Sequence, residues 1–262
     1  QNNLFGLDID DRAAQLAYFS IMMKACEYDH RFLRRSNQPH VCAIINSQTI
    51  DTENLQCYGE IKGKAQDLVA AFADAKEYGS IIHVPISLED LYSLQSMGQE
   101  IAAEADNGLR LDEAAINRST VAAIEALLPQ AIILAQRYDA VVTNPPYLNK
   151  YSANLKRHIQ EEYKSDLFSV FMVRNFDFCK PNGYSAFMTP FVWMFIKSYE
   201  KLRGMILDEK AITTLIQMEY SAFEEATVPI CSFVLRKTKM NYAGNYLRLT
   251  DFKGGMDVQN QK

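Results

Sequence analysis

The chain reads as an α/β protein on a mainly parallel sheet, interrupted by a mainly helical insertion. Three observations predict this. First, a short strand-like run, Leu4–Asp10, leads through a helical pattern over about 11–28 into a second run, His40–Ile45, a strand–helix–strand unit. Second, residues 50–137 carry helical patterns rich in Ala, Leu and Glu. Third, Tyr138-Asp139-Ala140-Val141-Val142-Thr143 reads as a buried parallel strand and stops at Asn144-Pro145-Pro146-Tyr147.

In chain order, Leu4–Asp10 is a short buried strand ending in acids. Asp10 is the N-cap of the helix that follows. Capping accounts for Asp10 but not for Asp8, which lies on the same side of the strand two residues earlier. A strand, an acid and a helix are how α/β folds present a carboxylate to a ribose diol. Arg31-Phe32-Leu33-Arg34-Arg35 is a basic patch, read as solvated surface in preference to a phosphate site. Within 50–137, Ala65–Tyr78 is a helix stopped by Gly79, and Ile81–Pro85 is a short edge strand. Leu88 to about Asp106 and Leu111 to about Arg137 are helices, with Pro129 a break or a start.

After Tyr147 the segment Leu148–Lys164 is polar and carries Lys150, Lys156, Arg157, His158 and Lys164. It reads equally as a mobile basic loop beside a substrate pocket or as a solvated helix. Asp166 opens an aromatic helix to about Cys179, and Pro181-Asn182-Gly183 turns into a strand over 184–190. A helix through Trp193, Tyr199, Leu202 and Arg203 follows, then strands over 211–218 and 230–236, with an antiparallel strand near the end of the sheet. Residues 238–262 read as a linker. The domain plan is 1–49, the insertion 50–137, a second half 138–237 and that linker.

Composition narrows the function classes. The 262 residues, 48% hydrophobic, supply core for one large domain or two small ones. No apolar run approaches the ~18 residues of a membrane span, and the opening has no initiator Met, basic n-region or signal-type apolar region. Five scattered cysteines, without CxxC or Cys/His ligand spacing, fit buried reduced thiols of a cytosolic protein and argue against a metal site. A net charge of -5 argues against this stretch alone gripping DNA.

The chemistry concentrates at 144–147. Pro145 and Pro146 lack N–H groups and have fixed φ, so the carbonyls there are not absorbed into a following helix. Asn144 adds a side-chain carbonyl and Tyr147 a flat π face. Convergent acceptors and a ring at the carboxyl end of a strand suit a planar amino group. A stiff loop after a core strand is the plain alternative. The full tetrapeptide after Asp-Ala-Val-Val-Thr favours the chemical reading.

Here the sequence resembles amino-group methyltransferases with the Asn/Asp-Pro-Pro-Tyr/Phe signature. Its block order resembles the Rossmann-like, class I, gamma-type adenine-specific DNA methyltransferases, and the wider pattern resembles the large enzymes of BREX phage-resistance and fused restriction-modification systems. The opening Asn-Asn-Leu-Phe-Gly-Leu-Asp-Ile-Asp-Asp-Arg-Ala-Ala-Gln-Leu-Ala and the Tyr-Asp-Ala-Val-Val-Thr-Asn-Pro-Pro-Tyr block carry this resemblance, which runs from about Asn3 to about Lys237 outside the insertion. It implies S-adenosyl-L-methionine as cofactor and double-stranded DNA with a flipped adenine as substrate. Other defence-system subunits are implied as partners, with no metal and no membrane. Asp8 would accept from the cofactor ribose, Ile9 would pack on its adenine, and Phe171 would line its pocket. Asn144 and Pro145 would bind the target amine within the Asn144-Pro145-Pro146-Tyr147 turn. Tyr147 would stack on the flipped base, with Phe223 against its other face or edge. The family's third cofactor acid would follow the strand ending at Ile45, where this sequence carries Asn46 and Ser47. The family's Gly-rich cofactor loop would precede Leu4. The expectation is a fragment that lacks this loop and the first, central strand. Methylation of RNA or of protein glutamine, or a non-catalytic scaffold, are the alternatives.

Overall fold

The computed structural model describes residues 3–35, 38–106, 111–148, 150–159, 166–219 and 228–252, with Val258 and Gln261. The chain divides into two compact units, Gln1–Gln136 and Arg137–Lys262.

In the first unit β1 (Phe5–Asp8), α1 (Asp11–Tyr28) and β2 (His40–Ala43) form the expected strand–helix–strand unit, with β1 and β2 parallel and Asp8 opposite Ala43. Asp10 caps α1 from an extended conformation, its carboxylate accepting from Arg12 N at 2.8 Å and Ala13 N at 2.9 Å. The expected buried first strand is half-buried. The connection to β2 carries the ion pair Arg35–Asp29 at 2.8 Å, with Arg31, Arg34 and Arg35 exposed.

Beyond β2 come a 3-10 stretch Thr52–Ile61, then α2 (Lys62–Ala71), α3 (Ala75–Tyr78), α4 (Leu88–Asp106) and α5 (Leu111–Ala135). Tyr58, Leu68, Phe72, Leu91, Leu94 and Ile124 are fully buried here. The predicted single helix over 65–78 is two, split around Phe72–Asp74. Gly79 ends the second at φ 58, ψ -143, a conformation that side chains with a Cβ avoid. The predicted edge strand at Ile81–Pro85 is absent. A 3-10 turn, Gly79–Ile81, buries Ile81 and Ile82 instead. Pro129 neither breaks nor starts a helix: α5 runs through it, held by buried Leu127, Leu128, Ala131 and Leu134 around the missing hydrogen bond. By length and composition Asp112–Ala135 meets the measure of a membrane span, contrary to the sequence reading, with mean hydropathy 1.3 and 50% of that window buried inside the protein. α5 packs on α4, β1 and β2. Its Gln130, 1% exposed, accepts from Ile45 N at 2.8 Å and donates to Ile45 O at 3.1 Å. One side chain thereby acts as a strand neighbour for the residue past β2.

The second unit holds β3 (Tyr138–Thr143), α6 (Ala153–His158), α7 (Leu167–Phe178), β4 (Cys179–Pro190), α8 (Glu200–Glu209), β5 (Ala211–Gln217), β6 (Ile230–Arg236) and β7 (Asn245–Arg248). The sheet order is β3-β4-β6-β5-β7. β3–β4 and β5–β7 are parallel, and the antiparallel strand expected near the end is β6, antiparallel to both neighbours. β3 is not the fully buried strand that its sequence suggests. It lies at the edge of this sheet, and Val142 is 79% exposed. β4 starts at Cys179, earlier than predicted. A Cβ on Gly183 would lie 2.9 Å from Tyr138 O, so only glycine admits the close approach of β3. The helix predicted after β4 is two 3-10 turns, Phe191–Met194 and Lys197–Tyr199, before α8. Arg203 Nη1 donates to Trp193 O at 2.7 Å and Ile196 O at 2.6 Å, satisfying carbonyls that an α-helix would satisfy internally. The tail expected to be linker contributes β7, whose exposed Tyr246 and Leu247 give no alternating signal.

The core beneath this sheet joins Phe168, Met172, Phe187, Trp193, Cys231 and Phe233. Phe187 stacks on Phe233 at 5.2 Å, and Trp193 tilts against Phe233 at 5.0 Å. Phe233→Ala is therefore expected to cost about 3–5 kcal/mol in urea unfolding. Gln130→Leu, which strands both polar groups of Ile45, is expected to cost about 2–4 kcal/mol.

Burial, with minor help from Asp166 and Tyr151, pushes the Tyr199 hydroxyl from 10.0 up to about 12. Burial pushes the Cys231 thiol from 9.0 up to about 11, against the opposing pull of Thr189 and Trp193. The unfolded chain loses these protons first and so binds fewer protons than the native state in this range. The stabilisation is full below about pH 9 and is lost as pH rises through about 12. Urea midpoints measured from pH 8 to 12 are expected to fall steadily, and a Tyr199→Phe variant to fall less steeply.

Candidate active site

The candidate residues fall in both units. In the first, Asp8, Ile9 and Asn46 lie at the carboxyl ends of the parallel pair β1–β2, which is extended by Ile44 N donating to Asp8 O at 2.7 Å. Asp8 Oδ1 accepts from Asp10 N at 2.9 Å. This turn supplies a structural reason for Asp8 that capping by Asp10 alone lacks, and it fixes the carboxylate's direction. Asp8 remains exposed, and Ile9 beside it is 52% exposed. Gly79 borders Ile9: a Cβ built there would lie 3.3 Å from Ile9 Cγ2.

The place of the family's third acid has a clear division of labour. Ser47 is 1% exposed, and its hydroxyl donates to Val69 O at 2.5 Å. Asn46 is exposed, and its Oδ1 accepts from Lys76 N at 2.8 Å. Because a backbone N–H can pair only with the carbonyl oxygen of an amide, the assignment of Oδ1 and Nδ2 is fixed. Lys76 Nζ meets Asp11 Oδ2 at 3.0 Å, so α3 is tied to both flanks of this cluster.

In the second unit, Asn144 and Pro146 are exposed, Pro145 is buried and Tyr147 is half-buried. The single Tyr147 hydroxyl proton is shared between two acceptors, Asn144 Oδ1 at 2.9 Å and Met188 O at 3.1 Å. Its ring packs on the sheet core and on the small group formed by Met218, Ile230 and Met188. Burial, then the Cys231 thiol, push its hydroxyl above the usual tyrosine range, so it is a proton donor at neutral pH. The ring that the sequence offers as a free stacking face thus also braces the turn from inside. Sequence gives no sign of the Met188 contact, which depends on the β3–β4 register.

Leaving the turn, Leu148 O accepts from Leu167 N at 2.8 Å, joining it to the start of α7. Phe171 is half-buried on α7. Asp166, which the sequence reading used only as a helix start, has Oδ1 buried without a hydrogen-bond partner among the described residues. Burial pushes its carboxyl above the usual range, against the pull of the Phe168, Leu167 and Leu148 N–H groups. Its signal in the sequence was its place at the head of Asp-Leu-Phe-x-x-Phe. Lys150, Lys156 and Arg157 are exposed, whereas Lys164 and Phe223 lie outside the described residues. Among the described residues no group of three or more His, Cys, Asp or Glu could hold a metal ion, and all five cysteines are free thiols. Cys179 and Cys231 are buried, whereas Cys26, Cys42 and Cys57, expected to be buried, are only half-buried.

Among known proteins, the adenine-specific methyltransferase BrxX of Escherichia coli O9:H4 (strain HS) is 34% identical over 277 aligned positions, covering 94% of this chain and 22% of that protein. The adenine-specific methyltransferase PglX of Lacticaseibacillus casei (strain Zhang) is 32% identical, covering 96% of this chain and 22% of that protein. The chain thus spans about a fifth of the length of these relatives. Among solved structures, a nuclease-deletion mutant of the Type ISP restriction-modification enzyme LlaGI, in complex with a DNA substrate mimic, aligns over 100% of this chain and 26% of that chain, with 13% identity and a TM-score of 0.42. The profile of the Eco57I restriction-modification methylase family matches residues 2–223, a span that takes in both groups of candidate residues, and the chain belongs to that family.

Proposed function

We propose that this chain is part of an S-adenosyl-L-methionine-dependent DNA methyltransferase that modifies the exocyclic amine of adenine to N6-methyladenine in a restriction-modification or phage-defence system. The observation that carries this reading is the Asn144–Tyr147 turn, whose Asn144 carbonyl is steered by the Tyr147 hydroxyl at the carboxyl end of β3. Family membership and two adenine-specific relatives support it. Their bacterial sources support a bacterial-type cytoplasmic location, and other defence-system subunits are its proposed protein partners.

The residues in the first unit fit the cofactor. Asp8 offers an oriented, exposed carboxylate for a ribose diol, Ile9 an exposed apolar face for a purine, and Asn46 an amide at the purine's edge. When bound, the cofactor supplies a methyl group on a sulfonium. Phe171 on α7 is proposed to line its pocket.

The remaining work belongs to the turn. The lone pair of the adenine amine is delocalised into the ring, and two acceptors for its N–H bonds favour a pyramidal, more nucleophilic nitrogen. Asn144 Oδ1 and the Pro145 carbonyl are the proposed acceptors, with Pro146 keeping the backbone rigid. Preorganised dipoles of this kind act where charge develops. Positioning then matters more than a strong base. The amine is out of reach in a stacked duplex, so the base is flipped, and Tyr147 and Phe223 offset the unstacking at roughly 1–3 kcal/mol per base.

The test is a split between chemistry and binding in the full-length protein. Asn144→Ala is expected to lower turnover by about a hundredfold or more, leaving S-adenosylmethionine affinity within about twofold by calorimetry. Asp8→Ala is expected to weaken that affinity about tenfold, or ~1.4 kcal/mol. Equal loss of cofactor binding in Asn144→Ala counts against the assignment. Competition among duplex DNA, structured RNA and a glutamine peptide separates the DNA reading from its alternatives.

A further inference from the structure

The segment following β4 has no role in the mechanism above, yet its design is unusual. Phe195 is 66% exposed and Ile196 is 49% exposed, side by side in sequence, between a Trp193 that is 3% exposed and a Tyr199 that is 7% exposed. A loop needed only to reach α8 would carry polar residues at its tip. This one is also stiff. Phe195 N and Ile196 N both donate to Val192 O, at 3.1 and 3.0 Å. Phe191 meets the Phe195 ring edge-on at 5.9 Å. The Arg203 guanidinium clamps the carbonyls of Trp193 and Ile196 from beneath. An arginine on α8 therefore holds two apolar side chains out toward solvent.

Its place in the fold is equally specific. β3 and β4 are parallel with Thr143 opposite Phe187, so the residues after β4 emerge at the same end of the sheet as the Asn144 turn. Tyr147 donates to Met188 O, and it packs on the same core as Phe191, Val192 and Met194. The exposed pair is thus built onto the frame that holds the candidate base-binding turn. Exposed Lys197 follows it in sequence, giving the apolar tip a cationic flank.

Resting on the reading of the turn as the site of a flipped adenine, we infer that Phe195 and Ile196 form a wedge that enters the duplex base stack beside the extruded adenine. Extrusion leaves a gap with apolar faces above and below it. Minor-groove proteins insert Phe, Leu, Ile or Met between base steps and so hold them unstacked. A wedge held in place before binding loses little conformational freedom on insertion, which favours duplex opening. Exposed Lys197 beside the pair supplies a cation for the phosphates of the opened strand. The partner of this surface is therefore duplex DNA at the target step.

The test uses the full-length protein, with its target site first mapped by sequencing methylated adenines in cells that express it. Duplexes carrying that site are made with the target adenine either paired to thymine or set opposite an abasic position, where little opening is needed. The double variant Phe195→Ser/Ile196→Ser is expected to lose about tenfold or more in kcat/KM on the paired duplex. On the abasic duplex it is expected to stay within about twofold of the natural protein. With 2-aminopurine at the target position, the fluorescence rise on binding should be lost in the double variant and restored in Phe195→Leu. Thermal midpoint and S-adenosylmethionine affinity should not change. Equal losses on the two duplexes, or no loss on the paired one, overturn the wedge while leaving the methyltransferase reading intact. If the natural protein methylates no DNA, both fall.

Discussion

The second unit depends on the parallel pairing of β3 with β4. Register fixes which atoms meet: with Thr143 opposite Phe187, Met188 O comes within reach of the Tyr147 hydroxyl. A slip by one residue would turn the β4 side chains to the other face, taking Phe187 off Phe233. The turn after β3 has no helix to hold it, because its two prolines forbid one. Among the described residues it is held by the Tyr147 hydroxyl, by the packing of that ring and by Leu148 O accepting from Leu167 N. Gly183 makes the pairing possible at its other end, where no side chain fits beside Tyr138 O. Site and sheet are therefore one construction.

In the first unit the same task is done differently. The ends of β1 and β2 are short of strand neighbours, and side chains supply what is missing. Asp8 closes the turn after β1, Asn46 caps α3, and Gln130 pairs with both backbone groups of Ile45. Polar side chains used this way are specific but costly to misplace, since each leaves a buried or oriented group unpaired when lost. The helices between β2 and β3 accordingly act on the strand ends: α3 touches Asn46 and Asp11, and α5 carries Gln130.

Much of this was legible in the sequence, and the exceptions share a cause. The strand over 230–236, the cap at Asp10, the stop at Gly79 and the turn at Asn144 are written in local chemistry, which sequence reports well. The 3-10 turns around Trp193 could not be read, because the feature that replaces α-helical hydrogen bonding there is an arginine ten residues away. β7 was hidden because backbone pairing alone recruits it, without an apolar face. Pro129 misled because a well-buried helix tolerates a lost hydrogen bond that an exposed one does not. At the site, residue identities were visible, but the inward hydrogen bonds of Tyr147 and Asn46 were not. They connect positions far apart in sequence, which residue patterning cannot link.

The edge position of β3 in the second unit's sheet has a bearing on how this stretch behaves by itself. An open strand edge with a side chain as exposed as Val142 is a template on which another chain can align, the first step toward ordered aggregates. Here both ends of the template are guarded. At its start Asp139 carries a charge, paired with Lys180 at 2.9 Å and still largely in water. At its end Pro145 and Pro146 offer no N–H to a would-be neighbour. The prolines that stiffen the turn therefore also limit strand addition at that end, and replacing them would favour aggregation of this stretch taken by itself.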